Sequence, residues 1–204
     1  MKNMTLNEFV DKVASNEPVP GGGSVAAVCG TLSAALSEMV ANLTVGKKKY
    51  AEHEGEMLEI KEKSLILRNK LIDYIERDSV AYNKVMEAYK LPKETEEEKN
   101  MRKKAIEESS KLAASIPLEV AAISFEIMPL AEAVVVKGNS NAVTDGLVAA
   151  MLARTAVLSA ILNVRINLSS ISDQSFVRDC KEKSDELEAD TLAYEKKILE
   201  NSPF

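Results

Sequence analysis

Between Glu52 and Tyr89 the chain runs without a proline and places Leu58, Leu65, Ile72, Ile75, Tyr82, Met86 and Tyr89 at spacings of three, four and seven. Those spacings return to one face of a 3.6-residue helix and do not alternate as a strand would. They predict one very long helix whose apolar stripe faces a core. No segment elsewhere shows strand-type alternation, so the rest of the fold has to be helical as well.

Punctuation residues divide the remainder. Thr5-Leu6-Asn7-Glu8 is a capping-box pattern that opens a short helix ending near Ser15. Pro18-Val19-Pro20-Gly21-Gly22-Gly23-Ser24 stops it, and a helix follows from about Gly23 to Thr44 with Gly46 as its stop. Thr95-Glu96-Glu97-Glu98 is a second capping box, and the helix after it is expected to be broken or kinked at Pro117 and Pro129. Gly138-Asn139-Ser140-Asn141 reads as a turn. Long helices from Ala142 to Leu168 and from Asp173 to Leu199 follow, the last burying Phe176, Leu187, Tyr194 and Ile198. The expected fold is an all-α bundle of long antiparallel helices in a single domain, residues 1–204, with two small-residue helices inside and charged helices outside.

Composition narrows the chemistry. A net charge of −6 over 204 residues argues against broad nucleic-acid binding, despite the local run Lys47-Lys48-Lys49. Cys29 and Cys180 have no CxxC spacing and there is one histidine, His53, so neither a metal nor a disulfide framework is expected. The thiols suggest a reducing compartment, and Met1 to Thr5 lacks the apolar core of a secretion signal, giving a cytoplasmic expectation. Ser24 to Val45 is mostly small and apolar, but Glu38 and Asn42 interrupt it; a buried helix is expected there rather than a membrane span.

The triple glycine is the first candidate site element. Three residues without side chains at a helix start permit positive φ and close approach, and the helix's first amides stay free for an anion or a polar ring edge. Asp78 sits beside the stripe of the long helix, between Ile75 and Tyr82. If the second and third helices form an antiparallel hairpin, a length count brings Asp78 back to within about one turn, ~6 Å, of the glycine end. Asp145 is the sole acid from Ala142 to Ile161, and it shares a helix face with Asn163. Lys47, Lys48 and Lys49 fall ~35 Å from Gly22 within one chain. They either complement a helix C-terminus, or meet a long anionic tail or a partner subunit's glycine end.

Several blocks together resemble one family. They are Pro20-Gly-Gly-Gly-Ser-Val-Ala-Ala, Met39-Val-Ala-Asn-Leu-Thr-Val-Gly-Lys-Lys-Lys-Tyr50, Leu91-Pro-Lys-Glu-Thr-Glu-Glu-Glu-Lys99, Gly138-Asn-Ser-Asn, Asp145 and Asn163-Val-Arg-Ile-Asn-Leu168. In order and spacing they are similar to the C-terminal domain of the formiminotransferase-cyclodeaminase family. The resemblance implies an all-helical, homodimeric enzyme of one-carbon metabolism whose substrate would be a tetrahydrofolate derivative; the composition adds the expectation of no metal and no nucleic-acid or membrane partner. The leading activity is formiminotetrahydrofolate cyclodeamination to the 5,10-methenyl form with release of ammonia; the alternative is hydrolysis of methenyltetrahydrofolate to the 10-formyl form. The formiminotransferase domain of the fused animal enzymes is absent from these blocks.

By matching position, the resemblance assigns Asp78 and Asp145 to acid/base work or pterin anchoring and Gly21, Gly22, Gly23 and Ser24 to a close-contact wall. Asn42, Asn139 and Asn163 become orienting amides, and Lys47 to Lys49 partners for the glutamate tail. Cyclodeamination needs a base for nitrogen 10 and an acid for the departing ammonia, whereas cyclohydrolysis needs one carboxylate to activate water against a cationic carbon. Two aspartates in one cleft are the expectation. A non-catalytic helical interaction module is the contrasting reading. A nucleotide site is weaker, since Gly21-Gly22-Gly23-Ser24-Val25 lacks a P-loop ending and no strand precedes it.

Overall fold

Helix starts coincide with side chains that accept from the first free amides. Glu8 N–H donates to Thr5 Oγ1 while Thr5 N–H donates to the Glu8 carboxylate at 2.6 Å, closing the box at the head of α1, Leu6–Val13. The same reciprocal pair, Thr95 and Glu98, opens α4, Glu96–Phe125. Asp173 accepts from the amides of Ser175 and Phe176 at the start of α7, Gln174–Leu199. Each such cap contributes about 1 kcal/mol. The helix α2, Gly22–Thr44, is different: its N-cap is Gly21, which has no side chain to offer.

The computed structural model describes Met1 and residues 3–204. Between α2 and α4 lies α3, Glu54–Lys90, entered through a 3₁₀ turn at Lys48–His53; α5, Met128–Lys137, and α6, Val143–Leu168, precede α7. There is no strand among the described residues. The helices form one bundle in which α2 runs antiparallel to both α3 and α6. Ser24 meets Ile75 and Glu38 meets Arg68 on one side, and on the other Ser33 Oγ donates to Ala149 O at 2.7 Å. In turn α4 runs antiparallel to α3 and α6, so α2, α3, α4 and α6 surround a common core.

The α2–α6 seam is built from small residues. Ala26, Ala27, Ala34 and Ala41 of α2 and Ala149, Ala150, Ala153, Ala156 and Ala160 of α6 are fully buried. Gly30 of α2 is crowded from three helices: a Cβ there would lie 2.6 Å from Ser124 Oγ of α4, 3.0 Å from Leu71 Cδ1 of α3 and 3.5 Å from Ala156 Cβ of α6. Both helices are long and apolar enough, by length and composition, to cross a bilayer, yet half of each apolar window is buried within the bundle. The buried half makes the core; the other half is left on the surface.

Three expectations are corrected. The core face of α3 carries Met57, Ile60, Ser64, Leu67, Leu71, Tyr74 and Ala81, while Leu58, Leu65, Met86 and Tyr89 are exposed and Ile72, Ile75 and Tyr82 half-buried. Both sets share a seven-residue repeat and so drift alike, by ~20° per repeat; the period leaves two candidate stripes, and packing against α2 and α4 selects the one that is buried. On α7 the buried positions are Val177, Cys180, Ser184, Thr191 and Ile198; Phe176, Leu187 and Tyr194 are half-buried at the margin. Finally, α4 continues through Pro117, and the break comes at Glu126–Ile127, just ahead of Pro129 in the first turn of α5. The carbonyl that Pro117 leaves without a donor, that of Ala113, receives a hydrogen bond from Asn167 Nδ2 at 2.7 Å.

Candidate active site

Because Gly21 cannot cap α2, its free amides are served from another helix. Asp78, on α3, lays its carboxylate over the first turn of α2 and accepts from Ser24, both amide and hydroxyl. The hairpin length count therefore holds, with Asp78 in contact with the glycine end. The glycines are required for room: a Cβ on Gly23 would fall onto the Asp78 carboxylate, 2.5 Å from Cγ. Positive φ is not the reason, since the one glycine that adopts it among the described residues is Gly46, at φ 77°. On the other flank a Cβ on Gly22 would lie 3.2 Å from Asn163 Nδ2.

Two opposing effects act on Asp78. Burial pushes its carboxyl up from the ordinary value of 3.8, and the hydrogen bonds from Ser24 pull it back, with burial the larger. Ser24 itself is fully buried. Its hydroxyl oxygen lies 2.9 Å from Ile75 O and 3.2 Å from Asp78 Oδ2, and its single proton serves one of them at a time. The carboxylate is thus held near a helix N-terminus, poorly solvated and weakly countered, which suits a group that takes or gives a proton.

This end of the bundle opens as a cleft of about 340 Å³. The glycine turn forms one wall, Asp78, Tyr82 and Val85 of α3 another, and Asn163, Ile166 and Asn167 of α6 with Ala113 of α4 the rest. Sequence reasoning assigned Tyr82 to the core stripe and passed over Asn167. The signal available was the spacing of four between Asn163 and Asn167, which puts both amides on one helix face. One carboxylate, Asp78, stands among the lining residues.

The other candidates are elsewhere. Asp145 lies in the first turn of α6, eighteen residues before Asn163 and hence ~27 Å along the helix, so within one chain the two aspartates do not share a cleft. The expectation failed because a common helix face says nothing about distance along the axis. Asn139 is buried with its polar groups consumed by the fold: its amide donates to Thr44 Oγ1 at 2.8 Å, Nδ2 to Leu43 O at 3.1 Å, and Oδ1 accepts from Asn141. Asn42 is exposed on α2. Lys47, Lys48 and Lys49 follow the C-terminus of α2, ~33 Å from Gly22. There Lys49 Nζ meets Ser140 Oγ at 3.3 Å, and Tyr50 is pulled down to about 8, chiefly by hydrogen bonds with Ser140.

Fold and cleft together define a class: an all-helical protein that holds one half-buried carboxylate over a helix N-terminus, in a cleft between helices. A family model described as formiminotransferase-cyclodeaminase matches residues 5–186. The chain belongs to that family, as its sequence blocks suggested. It is 41% identical over 198 residues to a methenyltetrahydrofolate cyclohydrolase of Methylorubrum extorquens, covering 97% of this chain and 95% of that one. It is 33% identical to the formimidoyltransferase-cyclodeaminase of Mus musculus across 84% of this chain, but spans only 32% of that longer protein. A crystal structure of formiminotetrahydrofolate cyclodeaminase from Thermotoga maritima, 36% identical, superposes with a TM-score of 0.88 over 98% of this chain and 96% of that one. These relatives are named as enzymes, and this chain is an enzyme of the same family.

Proposed function

We propose that this enzyme hydrolyses 5,10-methenyltetrahydrofolate to 10-formyltetrahydrofolate. The observation that carries the reading is the single carboxylate of the cleft. A cationic methenyl carbon needs a water, one base to deprotonate it, and a negative charge nearby. Asp78 takes a proton from the attacking water as the C–O bond forms. Proton return to nitrogen 5 lets the bond from that nitrogen to the carbon break, leaving the formyl group on nitrogen 10 and releasing one proton overall. Likeness over nearly the full length to the Methylorubrum cyclohydrolase supports this choice.

Formiminotetrahydrofolate cyclodeamination is the second reading, favoured by one observation. Burial raises the Asp78 carboxyl, so it can hold a proton for departing ammonia. The two readings oppose each other in pH. A base must be ionised, so hydrolysis is lost as pH falls through the raised Asp78 value, giving an acid limb in kcat/KM above the ordinary aspartate value. An Asp78 acid must be protonated, so ammonia release is lost as pH rises through the same value. Decay of the methenyl chromophore above the buffer blank, with the acid limb, is the expected outcome. A flat methenyl trace, with ammonia released from 5-formiminotetrahydrofolate, would reverse the assignment.

We further propose that the enzyme works as a homodimer. Leu32, Met39 and Leu43 of α2, with Val148, Met151 and Leu162 of the adjacent α6, are exposed large apolar side chains at helical spacings. A second copy would cover them. Within one subunit Lys47 to Lys49, Asn139 and Asp145 cannot touch a group held at Asp78, so any tail-binding or acid role for them requires the partner. Leu43→Glu with Met151→Glu is expected to convert a dimer to a monomer in sedimentation velocity; an unchanged sedimentation coefficient would remove this face from the interface.

A further inference from the structure

Asn167 closes a gap that Pro117 opens. Proline has no amide hydrogen, so the carbonyl of Ala113, four residues earlier in α4, has no main-chain donor. Asn167 Nδ2 supplies one from α6 at 2.7 Å. A carbonyl receives only from the nitrogen end of a carboxamide, so this bond dictates which way the amide faces. Its oxygen, Oδ1, accepts no hydrogen bond from any described residue and is not sealed in the interior. Asn167 and Ala113 both line the cleft that holds Asp78. One turn earlier Asn163 repeats the arrangement, with Nδ2 spent on Ser159 O at 2.8 Å and its amide against Gly22.

We propose that Asn167 is a substrate-reading residue: its Oδ1, held in one direction by the Pro117-freed carbonyl, accepts from an N–H of the bound ring. With Asn163 Oδ1, it makes an acceptor wall beside Asp78 that selects a heterocycle edge rich in N–H donors and leaves the carboxylate for the reacting carbon. The assignment rests on the folate reading, because a reduced pteridine carries ring N–H groups and an exocyclic amine. It also gives Pro117 a purpose. The proline exposes a carbonyl that pins the amide.

Variants separate reading from scaffolding. Titrate 5-formyltetrahydrofolate into wild type, Asn167→Ala and Pro117→Ala/Asn167→Ala by calorimetry, with thermal unfolding in parallel. Asn167→Ala should raise Kd about tenfold and lower Tm by about 3 °C, since the Ala113 carbonyl loses its donor. In the double variant the alanine that replaces Pro117 returns an amide hydrogen to that carbonyl, so Tm should recover while Kd stays high. Should Asn167→Ala fold poorly, the double variant carries the measurement. Wild-type affinity in the double variant would overturn the assignment alone, making Asn167 a purely structural strut. Absence of binding by wild type at saturating ligand would take down the folate reading, and this assignment with it.

Discussion

Replacing Asp78 with asparagine should lower kcat by about 10³-fold, within the range of lost general-base catalysis, and leave Tm at pH 7 unchanged or higher. The second half follows from the sign of the Asp78 shift. Its folded value is raised, so the native state binds a proton more readily than the unfolded chain. Stability therefore falls as pH rises from the unfolded value through the folded one, and stays lower above it. Asparagine keeps the size of the side chain and an oxygen for the Ser24 amide while removing the poorly solvated charge. Stopped-flow turnover with differential scanning calorimetry checks both halves. Wild-type turnover would strike Asp78 from the chemistry, and a large drop in Tm would make it a structural cap.

The second large effect comes from one methyl group. In Gly23→Ala the new Cβ lands on the Asp78 carboxylate, so that side chain must rotate off the Ser24 amide. A base moved by ~1 Å costs about 10² in rate. Stability should change by less than about 1 kcal/mol, because the helix propensity gained over glycine offsets the lost cap. Gly22→Ala should be milder, since Asn163 need yield only slightly from 3.2 Å. Gly55→Ala, where a Cβ meets nothing within 4 Å, is the neutral control. If Gly23→Ala turns over at the wild-type rate, the contact between the glycine and the carboxylate has no part in positioning the base.

Much of the site was legible because its elements are set by short-range rules. A glycine N-cap leaves amides free, a hairpin of known turn position sets which residue returns beside them, and 1.5 Å per residue converts that into Asp78. Asn167 was not legible. Its role depends on a carbonyl freed by a proline fifty residues earlier, and nothing near Asn167 in sequence records that α4 and α6 would lie side by side. Asp145 misled for the opposite reason: its setting among apolar residues is local, but the distance to the cleft is a property of the assembled bundle.

Most helix ends and the return of Asp78 to within about a turn of the glycine end were determined by the sequence alone, since caps, breakers and the 3.6-residue period act within a few residues along the chain. Tertiary structure alone decided which of two apolar stripes on α3 faces inward, why α4 passes through Pro117, and that the predicted site residues divide between opposite ends of the bundle. Each of those outcomes depends on which helix packs against which, a sum over contacts distant in sequence that no local pattern contains.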